Sequence, residues 1–206
     1  MTKRYLTRLT FRMLSAFGVV LLMLSLDGCA IAPRFVGTTQ VAMTKPIIFS
    51  SIYVYSFLDI RSKELGPKMI TEIQRQLEVG LKNHGVVSEQ HWFENDPVAS
   101  EIASTGGSER IPVREVITRN AAAERKYGAR YRLIVFPIQT TTGGDWAFYD
   151  FRWTVEDTIT QRVVWSTTSQ GKHMNWIMTD ENSSQRAKVV VDGVISEMVN
   201  SGLLMK

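Results

Sequence analysis

The chain encodes an α/β (α+β) domain, a mixed sheet of four to five strands packed with about three helices. Three observations point there. Short β-branched and aromatic runs alternate with longer segments whose apolar residues recur every three or four positions. Glycines stand where those longer segments stop, as a left-handed helix end requires. Residues 147–157 (AFYDFRWTVED) alternate apolar and polar side chains, the mark of a strand with one buried face. A length of 206 residues, 44% apolar and 21% charged, suits one globular domain with an appendage.

The appendage is at the N-terminus. Residues 1–12 carry Lys3, Arg4, Arg8 and Arg12 and no acid, and residues 14–26 are apolar apart from two serines. A charged stretch, a short apolar stretch and a small residue before a break describe a secretory signal peptide. Thirteen residues fall short of the ~20 that a membrane-crossing helix needs. The single cysteine of the chain follows directly. Leu26-Asp27-Gly28-Cys29 resembles the bacterial lipobox, with Asp27 a departure from the usual small or β-branched residue. That resemblance implies cleavage between Gly28 and Cys29, diacylglycerol on the Cys29 sulfur and a fatty acyl chain, typically palmitate, on the new amino group. Two or more chains anchor stably where one is marginal. Ala30 after the cysteine implies the outer membrane rather than the inner. An uncleaved signal anchor or an inert buried cysteine is the competing reading. The expected division is a removed signal peptide over 1–28, a lipidated N-terminus and tether over 29–46, and a periplasmic α/β domain over 47–206. The tether, with Pro, Gly and Thr and room for one short strand, reaches at most ~55 Å at ~3.3 Å per residue.

Within the domain, residues 47–57 (IIFSSIYVYSF) read as a strand buried on at least one face. Gly66-Pro67 opens a helix over 67–84, since proline suits the first turn. Met69, Ile70, Ile73, Leu77 and Leu81 form its apolar stripe, and Gly85 stops it. Val86-Val87 starts a short strand. Residues 94–111 read as a loop. A second helix runs from near Pro112 to about Lys126, with Val113, Val116, Ile117 and Ala121 inward and Gly128 as its stop. Residues 130–139 (RYRLIVFPIQ) read as a central strand, apolar on both faces. Pro137 lacks an amide donor and marks a strand end, an edge or a bulge. In 147–157, Tyr149, Phe151, Trp153 and Val155 share the inner face, and Asp150, Arg152, Thr154 and Glu156 the solvated one. Residues 158–161 turn, and 162–169 return as the partner strand. A last helix over 181–201 places Ala187, Val190, Val191, Val194, Ile195 and Met198 inward and stops at Gly202.

This order resembles the TolB amino-terminal-domain-like fold of periplasmic lipoproteins over about residues 47–204. The matching pieces are Leu81-Lys82-Asn83-His84-Gly85-Val86, Ala121 to Val135, and Asp157 to Ser166. Members include activators of penicillin-binding proteins, the curli secretion-channel lipoprotein and an exopolysaccharide-export lipoprotein. The resemblance implies a non-enzyme that binds partners or assembles into rings beneath the outer membrane.

Composition excludes some functions. The net charge of +4 is concentrated in the leader, which holds +3 of it, so nothing marks a phosphate-binding surface. One cysteine cannot form an internal disulfide or a multi-thiolate zinc site. His84, His91 and His173 lack the helical i, i+4 spacing of a metal pair, and no phosphate-cradling glycine motif occurs. Ser169-Gln170-Gly171-Lys172 has the serine–lysine acylase spacing, but that chemistry needs the serine at a helix start and this tetrapeptide reads as a strand end. Asp145, Asp150, Glu156 and Asp157 are the carboxylates that could pair as acid and base, but Asp150 and Glu156 fall on the polar face of a strand, where charges are usually just solvated. No cofactor is expected beyond the lipid on Cys29.

Two segments are candidate interaction surface. Lys172 to Met178 is apolar for a connection, through Met174, Trp176, Ile177 and Met178 beside His173. It reads as an interface, as a lid on the core or as an extension of the strand. Gly143-Gly144-Asp145-Trp146 reads as a turn with Trp146 either exposed or packed. The expectation is an outer-membrane lipoprotein facing the periplasm, a non-enzymatic binding or assembly component of an envelope machine. Its partners would be the membrane through the lipid and an envelope protein or further copies of itself, not nucleic acid. A monomeric activator of a peptidoglycan-synthesising enzyme is the alternative, and an enzyme with a site invisible in sequence the remote one.

Overall fold

A computed structural model of the chain describes residues 34–40, 47, 49–61, 65–93, 111–143, 146–174 and 180–205. The elements run β1 (Arg34–Gln40), β2 (Ser51–Ser56), α1 (Pro67–Asn83), β3 (Val87–Trp92), α2 (Val113–Tyr127), β4 (Tyr131–Gly143), β5 (Trp146–Asp157), β6 (Arg162–Met174) and α3 (Asp180–Asn200). A 3-10 turn at Leu58–Arg61 follows β2. The fold class is the expected one, with a sixth strand. That strand, β1, comes from the segment read as a tether, and it pairs antiparallel with β6 from Arg34 opposite Gln170 to Gln40 opposite Trp165.

The sheet order is β1-β6-β5-β4-β2-β3. β2 lies parallel to both β3 and β4, and the remaining pairs are antiparallel. Parallel neighbours need crossover connections, and such crossovers are right-handed. The step from β2 to β3 moves one way across the sheet, and the step from β3 to β4 moves back over β2. Equal handedness therefore sends α1 and α2 to opposite faces.

One face carries the main core. Met69, Ile70, Ile73, Leu77 and Leu81 of α1 are buried, as is the expected α3 stripe from Ala187 to Met198. They pack on Ile52, Val54, Leu133, Val135, Phe151, Trp153, Val155 and Trp165 of the sheet. Burying each such aliphatic side chain contributes about 1.5–3 kcal/mol. The two tryptophans are fully buried, and each finds an acceptor for its indole N–H. Trp153 Nε1 donates to Ser169 Oγ at 2.9 Å and Trp165 Nε1 to Ser201 Oγ at 3.0 Å. The helices approach closely at Gly80, where an added Cβ would stand 3.0 Å from Ile195 Cγ1. Gly85, φ 76°, closes α1: its N–H donates to Lys82 O and that of Val86 to Leu81 O, both at 3.0 Å.

The other face is covered only in part. Val116 and Ile117 of α2 pack on Tyr53, Tyr55, Phe57 and Ile134. β2 and β4 are thus buried on both faces, as the unbroken apolar run of β4 requires. Farther along, the outer face of β5 and β6 is open, with Arg152, Gln170 and Lys172 exposed. Pro137 falls at a bulge, the β4–β5 register shifting between Pro137 and Gln139.

Three expectations need correction. Ala121 is only half-buried, and Glu124 is the third buried position of α2. Glu156 is not solvated but buried, because α2 and Arg132 cover that end of the outer face. Ser169 to Lys172 lie within β6 rather than at its end, as pairing with β5 continues to Met174.

Candidate functional site

The β4, β5 and β6 strands outrun the rest of the sheet. The last residue of β2, Ser56, stands opposite Val135, whereas β4 continues to Gly143. β5 and β6 follow it, with Trp146 opposite both Gly143 and Met174, and Ala147 opposite His173. Relative to β2 this overhang is about seven or eight residues, ~25 Å at ~3.3 Å each, and β1 accompanies β6 only as far as Gln170. It gathers three of the sequence candidates, Trp146, His173 and Met174, at one end of the sheet. Lys172, His173 and Met174 extend the strand. Gly28, Cys29, Trp176, Ile177 and Met178 lie outside the described residues.

The overhang carries exposed apolar surface. Phe148, two residues from Trp146 along β5, is 44% exposed, and Ile138 beside the β4 bulge is 39% exposed. Exposed Lys172 stands opposite Phe148 in the register. At the far end of the same hairpin, Ile159 and Val163 are also exposed. Among the described residues no helix is long and apolar enough to cross a membrane.

Histidines and carboxylates do not converge on a metal-binding group among the described residues. His84 Nδ1 lies 2.6 Å from Met205 O, which ties the chain end to the end of α1. His91 meets the Tyr55 ring edge-on at 5.7 Å and lies 3.3 Å from Asn120 Nδ2.

Where α2 crosses the sheet there is a buried ionic cluster that periodicity did not reveal. Arg132 of β4, 3% exposed, is its centre. Its Nη1 donates to Glu124 Oε2 of α2 at 3.2 Å and its Nη2 to Gln161 Oε1 at 2.9 Å. Its Nε lies 3.3 Å from Glu156 Oε2, an ion pair without hydrogen-bond geometry. Arg114, largely exposed at the start of α2, holds Glu156 with two bonds of 2.9 and 3.1 Å. Tyr55 Oη donates to Glu124 Oε2 at 3.4 Å, and Glu124 Oε1 has no hydrogen-bond partner.

Burial pushes the Glu124 carboxyl above its ordinary range, although Arg132 and the Tyr55 hydroxyl pull it down. The Tyr55 hydroxyl is raised strongly, by burial first and then by Glu124. Nearby, burial alone would raise Asp157. The Arg130 guanidinium, 2.8 Å away, and the backbone N–H groups of Thr160 and Ile159 override it and hold that carboxyl low. The cluster clamps α2 and the β5–β6 turn to the sheet. The signal that could have found it is Arg132 itself, since a charge inside a central strand requires a buried counter-charge.

No protein-family model and no curated protein matches the sequence. Among solved structures, the PelC dodecamer from Paraburkholderia phytofirmans is similar over 77% of this chain and 95% of its own, at 15% identity and a TM-score of 0.39. Lipoprotein GNA1162 from Neisseria meningitidis is 12% identical over 73% of this chain and 98% of its own, with a TM-score of 0.42. The hypothetical protein CT253 from Chlamydia trachomatis is 11% identical over 74% and 98%, with a TM-score of 0.41.

Proposed function

We propose that this chain is an outer-membrane lipoprotein, anchored through Cys29 and facing the periplasm, that works without catalysis as a binding or assembly component of an envelope export or secretion machine. The observation that carries this reading is the N-terminal sequence. A basic leader and a short apolar stretch end at Leu26-Asp27-Gly28-Cys29, which holds the only cysteine of the chain. Lipid at that position confines the domain to a surface and raises its effective concentration for a partner, so weak contacts suffice.

The test is growth with an alkyne-tagged palmitate, followed by mass spectrometry of the N-terminal peptide and density-gradient separation of the two membranes. The native chain is expected to carry the label on a peptide beginning at Cys29 and to sediment with the outer membrane. Cys29→Ala is expected to lose the label and keep the leader. An unlabelled native chain, or one cleaved elsewhere, overturns the proposal. Light scattering of the purified lipoprotein in detergent separates the assembly forms: a discrete high oligomer supports a ring and a monomer sinks it.

A further inference from the structure

We propose that the overhanging end of β4, β5 and β6 is a second membrane contact, seated on the lipid surface that the Cys29 acyl chains enter. The inference rests on the lipid-anchor reading above and deepens it. Its starting point is β1. Because the chain is already in the sheet at Arg34, only four residues, five backbone steps, separate Cys29 from the folded domain. Those five steps span at most about 17 Å, against ~55 Å for a free tether over 29–46.

Register then decides which end of the domain faces the membrane. Arg34 stands opposite Gln170, and β6 runs four residues farther to Met174. β1 is antiparallel to β6, so the chain preceding Arg34 leaves the sheet toward the Met174 end. Four residues of overhang are about 13 Å, within the leash. Apolar residues are exposed at both ends of the hairpin, so exposure alone does not choose. Arg162 at the opposite end is eight residues from Gln170, about 26 Å away, and a leash of about 17 Å does not bring it to the surface unless the strands lie flat.

The chemistry at the near end suits an acyl–headgroup boundary. Phe148 and Ile138 present exposed apolar side chains, and exposed Lys172 stands opposite Phe148. Aromatic rings and long cationic side chains settle at that depth, with the stem in the apolar layer and the head in water. Trp146 and Met174 occupy the last paired register positions of the same end. The sheet then stands upright on the membrane, and Ile159 at the opposite turn is held out in the periplasm.

The experiment uses the full lipidated protein in vesicles of phosphatidylethanolamine and phosphatidylglycerol. Nitroxide labels are placed singly by Phe148→Cys and Ile159→Cys, both at exposed positions where folding tolerates the change. Collision with oxygen and with a water-soluble nickel chelate reports depth, and mass spectrometry of the same sample reports the Cys29 lipid. The label at 148 is expected to gain oxygen access and lose nickel access at least threefold relative to that at 159. With the lipid confirmed, equal aqueous readings at both positions overturn the second contact and leave the anchor standing. A label at 148 shielded from both reagents means that another copy covers it, and overturns the proposal. Absence of the lipid overturns the anchor reading and the leash argument with it.

Discussion

Replacing Arg132 by methionine removes the one cation shared by Glu124 and Glu156. The two contacts are 3.2 and 3.3 Å long. At an effective dielectric constant near 20, each carries a gross attraction of about 5 kcal/mol. Most of that is offset by the desolvation of three charges, so the pair adds little relative to an apolar triplet. Removing only the cation is different, because the carboxylates stay buried. Glu156 keeps its two bonds from Arg114, whereas Glu124 is left with the Tyr55 hydroxyl at 3.4 Å. The expected loss is about 3–5 kcal/mol at neutral pH, a large share of the ~5–15 kcal/mol that holds a domain together. It is read by urea unfolding followed by far-ultraviolet circular dichroism. Glu124 also sets the pH dependence. Its folded carboxyl is raised, so the folded state binds the proton more tightly than the unfolded chain, and stability from this group falls as pH rises above the ordinary glutamate range. The Arg132→Met loss should therefore be smaller at pH 5 than at pH 8. Adding Glu124→Gln should recover part of it. A loss below 1 kcal/mol, or one equal at both pH values, would refute the argument that an uncompensated Glu124 is the cost.

Three further outcomes follow from the packing. Gly171→Ala places a Cβ 2.2 Å from the Tyr149 ring, which is buried and stacked on Phe151 at 5.3 Å, so thermal unfolding should show a loss of about 1–3 kcal/mol. Gln161 sits at φ 56° in the β5–β6 turn, and Gln161→Gly relieves about 1 kcal/mol of left-handed strain. It also removes the acceptor of Arg132 Nη2, about 1.5–3 kcal/mol for a bond to a charged group, so chemical denaturation should show net destabilisation. Glu72 bridges α1 to α3 by accepting from Ser184 Oγ at 3.0 Å, and its bonds from Arg75, Gln76 and Ser184 pull its carboxyl down to about 2. A lowered carboxyl stabilises above the ordinary glutamate value and stops doing so as pH falls toward 2. Acid titration of Glu72→Gln should accordingly start from a lower plateau and fall less steeply than that of the native chain.

What the amino-acid order settled alone was the helix faces, the helix stops and the alternating strand. These depend on spacing within one element: the α1 and α3 stripes are buried residue for residue, and Gly85, Gly128 and Gly202 all take a left-handed backbone. Pro137 was legible for the same reason, since a missing amide donor acts wherever it sits. The proposed N-terminal address, too, rests on local features: charge, apolar length and one cysteine. Pairing between distant segments was not legible. β1 is a seven-residue strand of mixed polarity, and only the free edge of β6, brought there by the long β4–β5–β6 meander, makes it one. Glu156 alternates correctly as an outward residue, yet α2 lies over that part of the outer face and closes Arg132, Glu124 and Arg114 around it. Trp146 and Met174, 28 positions apart, become neighbours by register alone. Local spacing decides which face of an element is apolar. What covers that face, and how far Cys29 lies from it, is decided by long-range pairing and by the handedness of the crossovers.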